Sequence, residues 1–99
     1  MNIIMAPRCS GKTTELYRLS QEKQIPIVVR FFPRDVQRRA QEMGYDIPRP
    51  LRYDDPKVKE CGAVLVDDAE FILQSLLGCE VDTMAMSWER WPHRVPGFE

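Results

Sequence analysis

Residues 6–13 of this chain read Ala6-Pro7-Arg8-Cys9-Ser10-Gly11-Lys12-Thr13. They follow a short, largely apolar run at 2–5 and precede a stretch at 13–23 with helical periodicity. A tight loop that joins a strand to a helix and ends in Gly-Lys-Thr is the pattern of a phosphate-binding loop. In such a loop successive backbone N–H groups surround an anion, and the helix N-terminus adds further donors and the positive end of its dipole. We therefore predict that this segment binds the phosphates of a nucleoside triphosphate.

The residues of this loop have separate predicted roles in holding ATP and Mg²⁺. The Lys12 ammonium would reach the β- and γ-phosphates and assist catalysis, and the Thr13 hydroxyl would bind Mg²⁺. Ala6 stands where the motif usually has glycine, and alanine is the smallest replacement that carries a Cβ. The predicted nucleotide-binding residues are Ala6, Pro7, Arg8, Cys9, Ser10, Gly11, Lys12, Thr13 and Thr14.

A second candidate element is acidic and follows the apolar run at 63–66. An aspartate at the end of a strand commonly helps hold Mg²⁺ beside the Ser or Thr of a phosphate-binding loop, so we predict that Asp67 is a metal ligand. Asp68 or Glu70 would orient a nucleophile or accept its proton. The alternative is that Asp67 simply caps the helix that follows.

Both elements resemble the thymidine kinase family of the cellular, zinc-containing type. That family opens with Gly-Pro-Met-Phe-Ser-Gly-Lys-Thr-Thr-Glu-Leu, to which residues 7–16 are similar, and its Asp-Glu-Ala-Gln-Phe resembles residues 67–71. The resemblance implies that Lys12 and Thr13 hold the ATP phosphates and Mg²⁺ and that Asp67 lies on the metal side. It places Asp68 at the position of the family's catalytic base, which is a glutamate.

The resemblance also implies a difference in activity. The family closes its nucleoside pocket with a zinc-held lasso after the last core strand, and this chain has no zinc-ligand cysteines in that region. We therefore expect a reduced relative that kept the ATP-binding core, without full thymidine kinase activity.

The predicted fold class is α/β, a three-layer P-loop NTPase-like domain with about four mostly parallel strands flanked by helices. A single domain is expected over residues 1–99, with an irregular tail at 87–99. In such a fold, ligands bind at the edge of the sheet where the strands have their carboxyl ends. The predicted strands are 2–5, 25–32, 63–66 and 81–86, the predicted helices are 13–23, 35–43 and 69–77, and 45–56 is predicted to be a loop.

Composition restricts the setting in which the protein works. Apolar residues make up 43% and charged residues 29%, which is ordinary for a globular protein, and the net charge of −1 gives no general attraction for nucleic acid. No apolar run approaches the roughly 18 residues of a membrane span. The three cysteines, Cys9, Cys61 and Cys79, are too few and too widely spaced for a disulfide framework. We expect a cytoplasmic protein, in the host cytoplasm if the chain is viral.

Other function classes remain open. One is a non-catalytic scaffold, such as a viral protein could provide, that binds a protein partner or a second copy of itself. Another is a fragment of a DNA-stimulated helicase or packaging ATPase. Arginines near the second strand suit phosphate contact, nucleic-acid contact or an arginine finger, although Arg38 and Arg39 fit a solvated helix face better. Trp88 and Trp91 suit packing on the sheet or on another subunit better than stacking on bases.

Overall fold

The computed structural model describes residues 3–5 and 11–85, which form a small α/β domain of three helices and a short sheet. The predicted helix at 69–77 is confirmed, and the one at 35–43 begins earlier because Pro33 occupies its first turn, where proline fits well. Within the described ranges, none of the helices combines the length and the apolar character needed to cross a membrane. The elements are helices α1 (Lys12–Lys23), α2 (Pro33–Glu42) and α3 (Ala69–Leu77), a 3₁₀ helix at Pro56–Glu60, and strands β1 (Ile27–Val29), β2 (Leu51–Arg52) and β3 (Leu65–Val66).

The sheet is parallel throughout and has the order β2-β1-β3. Val28 of the central strand β1 pairs with Leu51 on one side and with Val66 on the other. All three residues of β1 are buried, as expected for a β-branched run in a parallel sheet covered on both faces. The prediction of a parallel α/β arrangement is therefore confirmed.

The prediction that 45–56 is entirely a loop was wrong, because β2 lies inside it. Backbone pairing with β1 holds this strand, and beyond its end the Tyr53 N–H donates to the Val29 carbonyl at 3.0 Å. A strand of two residues has no readable alternation of polar and apolar side chains. Its existence depends on the buried neighbour, which a local pattern does not reveal.

The predicted strand at 81–86 was also wrong over the residues that the structure describes there, 81–85, which have no regular secondary structure. The Val81 N–H donates to the side-chain Oε1 of Gln74 at 2.9 Å, so a helix side chain takes the donor that a neighbouring strand would need. At the other end of the chain, Ile4 forms an isolated β-bridge where a strand at 2–5 was predicted. The sheet of the described residues thus has three strands instead of four.

The core joins α1, β1 and α2. The Tyr17 and Tyr45 rings approach at 6.0 Å between centroids within it, and Ile4 and Leu65 pack against it. This packing holds α1 beside the sheet and so fixes the position of its N-terminal turn relative to the strand ends. The buried cluster consists of Leu16, Tyr17, Ile27, Val29, Ala40 and Ile47.

Candidate functional site

The candidate site lies at the carboxyl edge of the sheet, where β1 and β3 end side by side. Because Val28 pairs with Val66, the residues that follow the two strands leave the sheet at the same edge. The Asp67 N–H continues the ladder by donating to the Val28 carbonyl at 3.1 Å. The backbone of Asp67 is therefore fixed by the sheet, and its side chain is carried at the edge where ligands of α/β proteins gather.

The two predicted magnesium ligands meet at this edge. Thr13 lies in the first turn of α1, and its hydroxyl donates to Oδ2 of Asp67 at 3.4 Å, although the residues are 54 positions apart in the chain. At this length the hydrogen bond is weak. The pairing nevertheless brings the end of the phosphate-loop motif and the acidic element into direct contact.

The Asp67 carboxylate sits in an unfavourable electrostatic environment. Burial raises its pKa, and the neighbouring charges of Asp68 and Glu70 raise it further. Two hydrogen bonds act in the opposite direction, one from the Asp68 backbone N–H to Oδ1 at 3.0 Å and the other from the Thr13 hydroxyl. A half-buried carboxylate surrounded by like charges is stabilised by any cation that reaches it.

The backbone at the N-terminus of α1 adopts a left-handed conformation at Gly11. Gly11 precedes the helix with φ of 90°, in the left-handed region that residues with a Cβ rarely adopt, and its carbonyl accepts the Glu15 N–H at 3.0 Å. Lys12 is the first helical residue, and Thr14 is half-buried in the same turn. The remaining predicted nucleotide-binding residues, Ala6, Pro7, Arg8, Cys9 and Ser10, lie outside the described residues.

The predicted catalytic carboxylates, Asp68 and Glu70, are both exposed beside Asp67. Asp68 is the residue that precedes α3, with φ of 55°, so the alternative that Asp67 caps this helix was wrong. A left-handed conformation at a residue other than glycine costs free energy, and such residues are common at functional sites. Both carboxylates remain open to solvent at the position predicted for them.

Tyr17 is a residue of this region that sequence reasoning missed. It is only 3% exposed, and its pKa is raised by burial and then by the charge of Asp67, while Arg39 acts in the opposite direction. Tyr17 follows Thr13 by one helical turn, so both lie on the face of α1 that looks toward the sheet. The four-residue spacing between Thr13 and Tyr17 was the signal available in the sequence.

The arginines of α2 behave as a solvated face. Arg38 pairs with Asp35 at 3.4 Å and with Glu42 at 3.9 Å, and all three side chains are exposed. Exposed pairs of this kind contribute little to stability. The interpretation of Arg38 as a surface residue therefore fits the structure better than a phosphate contact.

No cluster of three or more His, Cys, Asp or Glu side chains suited to a metal ion occurs within 3–5 and 11–85. A metal at the Thr13–Asp67 pair would accordingly complete its coordination with ligand oxygens or water. In comparisons with known proteins, no family model, no curated protein and no solved structure matches this chain.

Proposed function

We propose that this protein binds Mg²⁺–ATP and acts as an ATPase or a phosphotransferase related to thymidine kinases, on a three-layer P-loop NTPase-like domain. The bound triphosphate would lie over residues 6–14, with the metal beside Thr13 and Asp67. The observation that carries the proposal is the 3.4 Å contact between the Thr13 hydroxyl and the Asp67 carboxylate. Two elements that a nucleotide site needs, and that are distant in the sequence, converge there.

The Thr13–Asp67 pair fits an octahedral magnesium ion. Mg²⁺ binds oxygens at about 2.0–2.1 Å, so two adjacent ligands of an octahedron lie about 2.9 Å apart. The observed separation of 3.4 Å would close by a few tenths of an ångström. A hydroxyl and one carboxylate, completed by phosphate oxygens and water, form the donor set that Mg²⁺ prefers.

The residues of this site would promote phosphoryl transfer by position and charge. Bound magnesium would neutralise charge on the phosphates. The Lys12 ammonium would hold the terminal phosphates, and the Asp68 or Glu70 carboxylate would orient a water molecule or an acceptor hydroxyl and accept its proton. Asp68 and Glu70 are solvent-exposed, which leaves room for such an acceptor.

Nucleotide titrations of two matched pairs of variants test the binding site. Lys12→Ala should weaken Mg²⁺–ATP binding by about tenfold or more, the loss expected when a charge-assisted hydrogen bond is removed. Lys23→Ala, at the other end of α1, should not change it. Unchanged affinity in Lys12→Ala would overturn the proposal.

The second pair tests the metal side. Thr13→Val should weaken binding in the presence of Mg²⁺ much more than in its absence. The control is Thr83→Val, because the Thr83 hydroxyl also donates to an aspartate, Asp82 at 2.7 Å, outside the candidate site. Equal effects of the two variants would contradict the role assigned to Thr13.

A second candidate function is protein binding without turnover. Phe31 and Phe32 are 48% and 70% exposed, and their rings lie 5.9 Å apart, so they form an apolar surface next to the site. Steady-state phosphate release with Mg²⁺ and ATP, with and without nucleosides or DNA, separates the two functions. Turnover in any of these conditions supports the enzyme, and its absence in all of them, with nucleotide still bound, supports the scaffold.

A further inference from the structure

A cleft lies between the end of β1 and the C-terminal half of α3. Its volume is about 340 Å³, and it is shallow and largely open to solvent. Neither Thr13 nor Asp67 lines it, so it is separate from the candidate nucleotide site. The lining residues are Arg30, Phe71, Gln74, Ser75, Cys79 and Glu80.

Arg30 is the unusual residue of this cleft. Its Nε is buried and has no hydrogen-bond partner, the one such side-chain atom among the described residues. Over those same residues Arg30 forms no ion pair, whereas Arg52, which ends the neighbouring strand β2, pairs with Asp54 at 3.3 Å. A native fold rarely leaves a buried donor unsatisfied, so a guanidinium held in this way calls for an explanation.

Aromatic contacts fix the position of the Arg30 guanidinium. Its central carbon lies 4.7 Å from the centroid of the Phe31 ring and 5.2 Å from that of the Phe71 ring. A guanidinium that lies against ring faces keeps its N–H groups in its own plane, where they match the two oxygens of a carboxylate. The rings thus orient the arginine without neutralising it.

The other lining groups are held by hydrogen bonds within the protein. Gln74 accepts the Val81 N–H through Oε1 at 2.9 Å, which leaves its amide N–H₂ as a donor, and the Ser75 hydroxyl donates to the Phe71 carbonyl at 2.9 Å. Among the lining residues that the structure describes, Glu80 is the one carboxylate, and it is exposed to solvent. The donors that these groups leave free are the N–H groups of Arg30 and Gln74, and they lie beside the Phe71 ring.

We propose that this cleft binds a small organic anion, with a carboxylate that pairs with Arg30 and a flat apolar ring that lies against Phe71. The ligand carboxylate would pair with the terminal N–H groups of the guanidinium, which forms no ion pair among the described residues, while the buried Nε lies out of its direct reach. This site goes beyond the proposed nucleotide function and does not depend on it, because the two share no residue.

An NMR titration of the ¹⁵N-labelled protein with benzoate tests the proposal. Benzoate should shift the backbone amide signals of residues 74–80 and the Arg30 Nε–H signal, and Arg30→Gln should weaken its binding by about tenfold or more. Arg52→Gln is the matched control and should bind benzoate as the unaltered chain does. Benzamide, which has the same ring without the charge, should bind much more weakly.

The proposal fails if benzoate leaves these signals unshifted, if benzamide binds equally well, or if both arginine variants lose binding to the same extent. Arg30→Lys keeps the charge but loses the two-oxygen match, so it should weaken binding less than Arg30→Gln does, and it provides the test if Arg30→Gln does not fold. Glu80→Gln removes the like charge that Glu80 places at the described part of the lining and should tighten benzoate binding. Weaker binding in Glu80→Gln would contradict the placement of the anion.

Discussion

At the scale of single residues, we expect Asp67 to have opposite effects on the stability of the empty protein and on the proposed metal binding. Its carboxylate is half-buried beside two further acids, an arrangement that costs stability in the absence of a cation. Its contact with Thr13 is the geometry from which a metal ligand is inferred. Residues of this kind are destabilising in the empty protein and stabilising in the complex.

Asp67→Asn should therefore raise the stability of the nucleotide-free protein while it abolishes the magnesium-dependent part of ATP binding. The expected gain in the free energy of unfolding is about 0.5–1 kcal/mol, modest because solvent screens the carboxylate. Urea unfolding at neutral pH measures the gain, and Asp82→Asn, at an exposed aspartate, is the control. A loss of stability in Asp67→Asn would show that the carboxylate is not strained.

The same substitution has a predicted pH dependence. The folded state raises the pKa of Asp67 above its ordinary value, so the folded state binds the proton more tightly than the unfolded chain does. The contribution of Asp67 to stability is then most favourable below the ordinary aspartate pKa and is lost as the pH rises through the raised value. The advantage of Asp67→Asn should accordingly be larger at neutral pH than at pH 3 in the same urea experiment.

At the scale of elements, the loop between β1 and α2 contains strain. Phe32 precedes α2 with φ of 54°, although it is a bulky residue and its side chain is 70% exposed. Such a conformation is rare outside glycine and asparagine. The backbone here turns sharply because β1 must end and Pro33 must begin the helix.

Phe32→Asn should stabilise the protein, because asparagine tolerates the left-handed conformation and is a good residue at a helix start. We expect a gain of about 0.5–1 kcal/mol in the free energy of unfolding, measured by thermal or urea denaturation. Phe31→Asn is the matched control and should destabilise, since Phe31 is not among the described residues with positive φ and its ring contacts Arg30. A destabilised Phe32→Asn would indicate that the contact between the Phe32 and Phe31 rings stabilises the fold by more than the backbone strain costs.

Sequence predicted these elements unevenly, for physical reasons. The helix α3 ends where Gly78 adopts φ of 76°, a stop that is encoded locally and was predicted. Strand β2 and the irregular segment at 81–85 were mispredicted because strand formation depends on a partner elsewhere in the chain. The residues of an apolar run do not determine by themselves whether a partner strand is available.

In the candidate site, too, residues in local motifs were predicted and contacts between distant elements were not. Thr13 and Asp67 follow from motifs whose spacing reflects a chemical requirement, and the structure brings them together. The electrostatic coupling of Tyr17 to Asp67 and the orphaned Nε of Arg30 arise from packing between elements, so no local motif signals them. Contacts of this second kind become visible only when the strands and helices are assembled.

At the scale of the whole molecule, stability depends on a small core centred on β1. Val28 is 4% exposed, while Val66, its partner across the sheet, is 41% exposed. The same substitution at both positions shows how burial affects the free energy of unfolding, since the two side chains are identical and the strands are paired.

Val28→Ala should lower the free energy of unfolding by about 2 kcal/mol, and Val66→Ala by less than about 1 kcal/mol, because only the first leaves a cavity in a packed interior. Urea denaturation of both variants measures the difference. Equal losses would mean that β3 is as deeply buried as β1, for example in an oligomer that covers Val66.

The strand order β2-β1-β3 also determines how long the central strand stays unpaired during synthesis of the chain. The central strand β1 leaves the ribosome first, and both of its neighbours are synthesised later, β3 last of all. Ile27, Val28 and Val29 have two unpaired edges until β2 is made and one unpaired edge until β3 is made, a condition in which nascent chains associate wrongly. A chaperone that binds hydrophobic nascent segments would protect this protein mainly between the synthesis of β1 and that of Leu65.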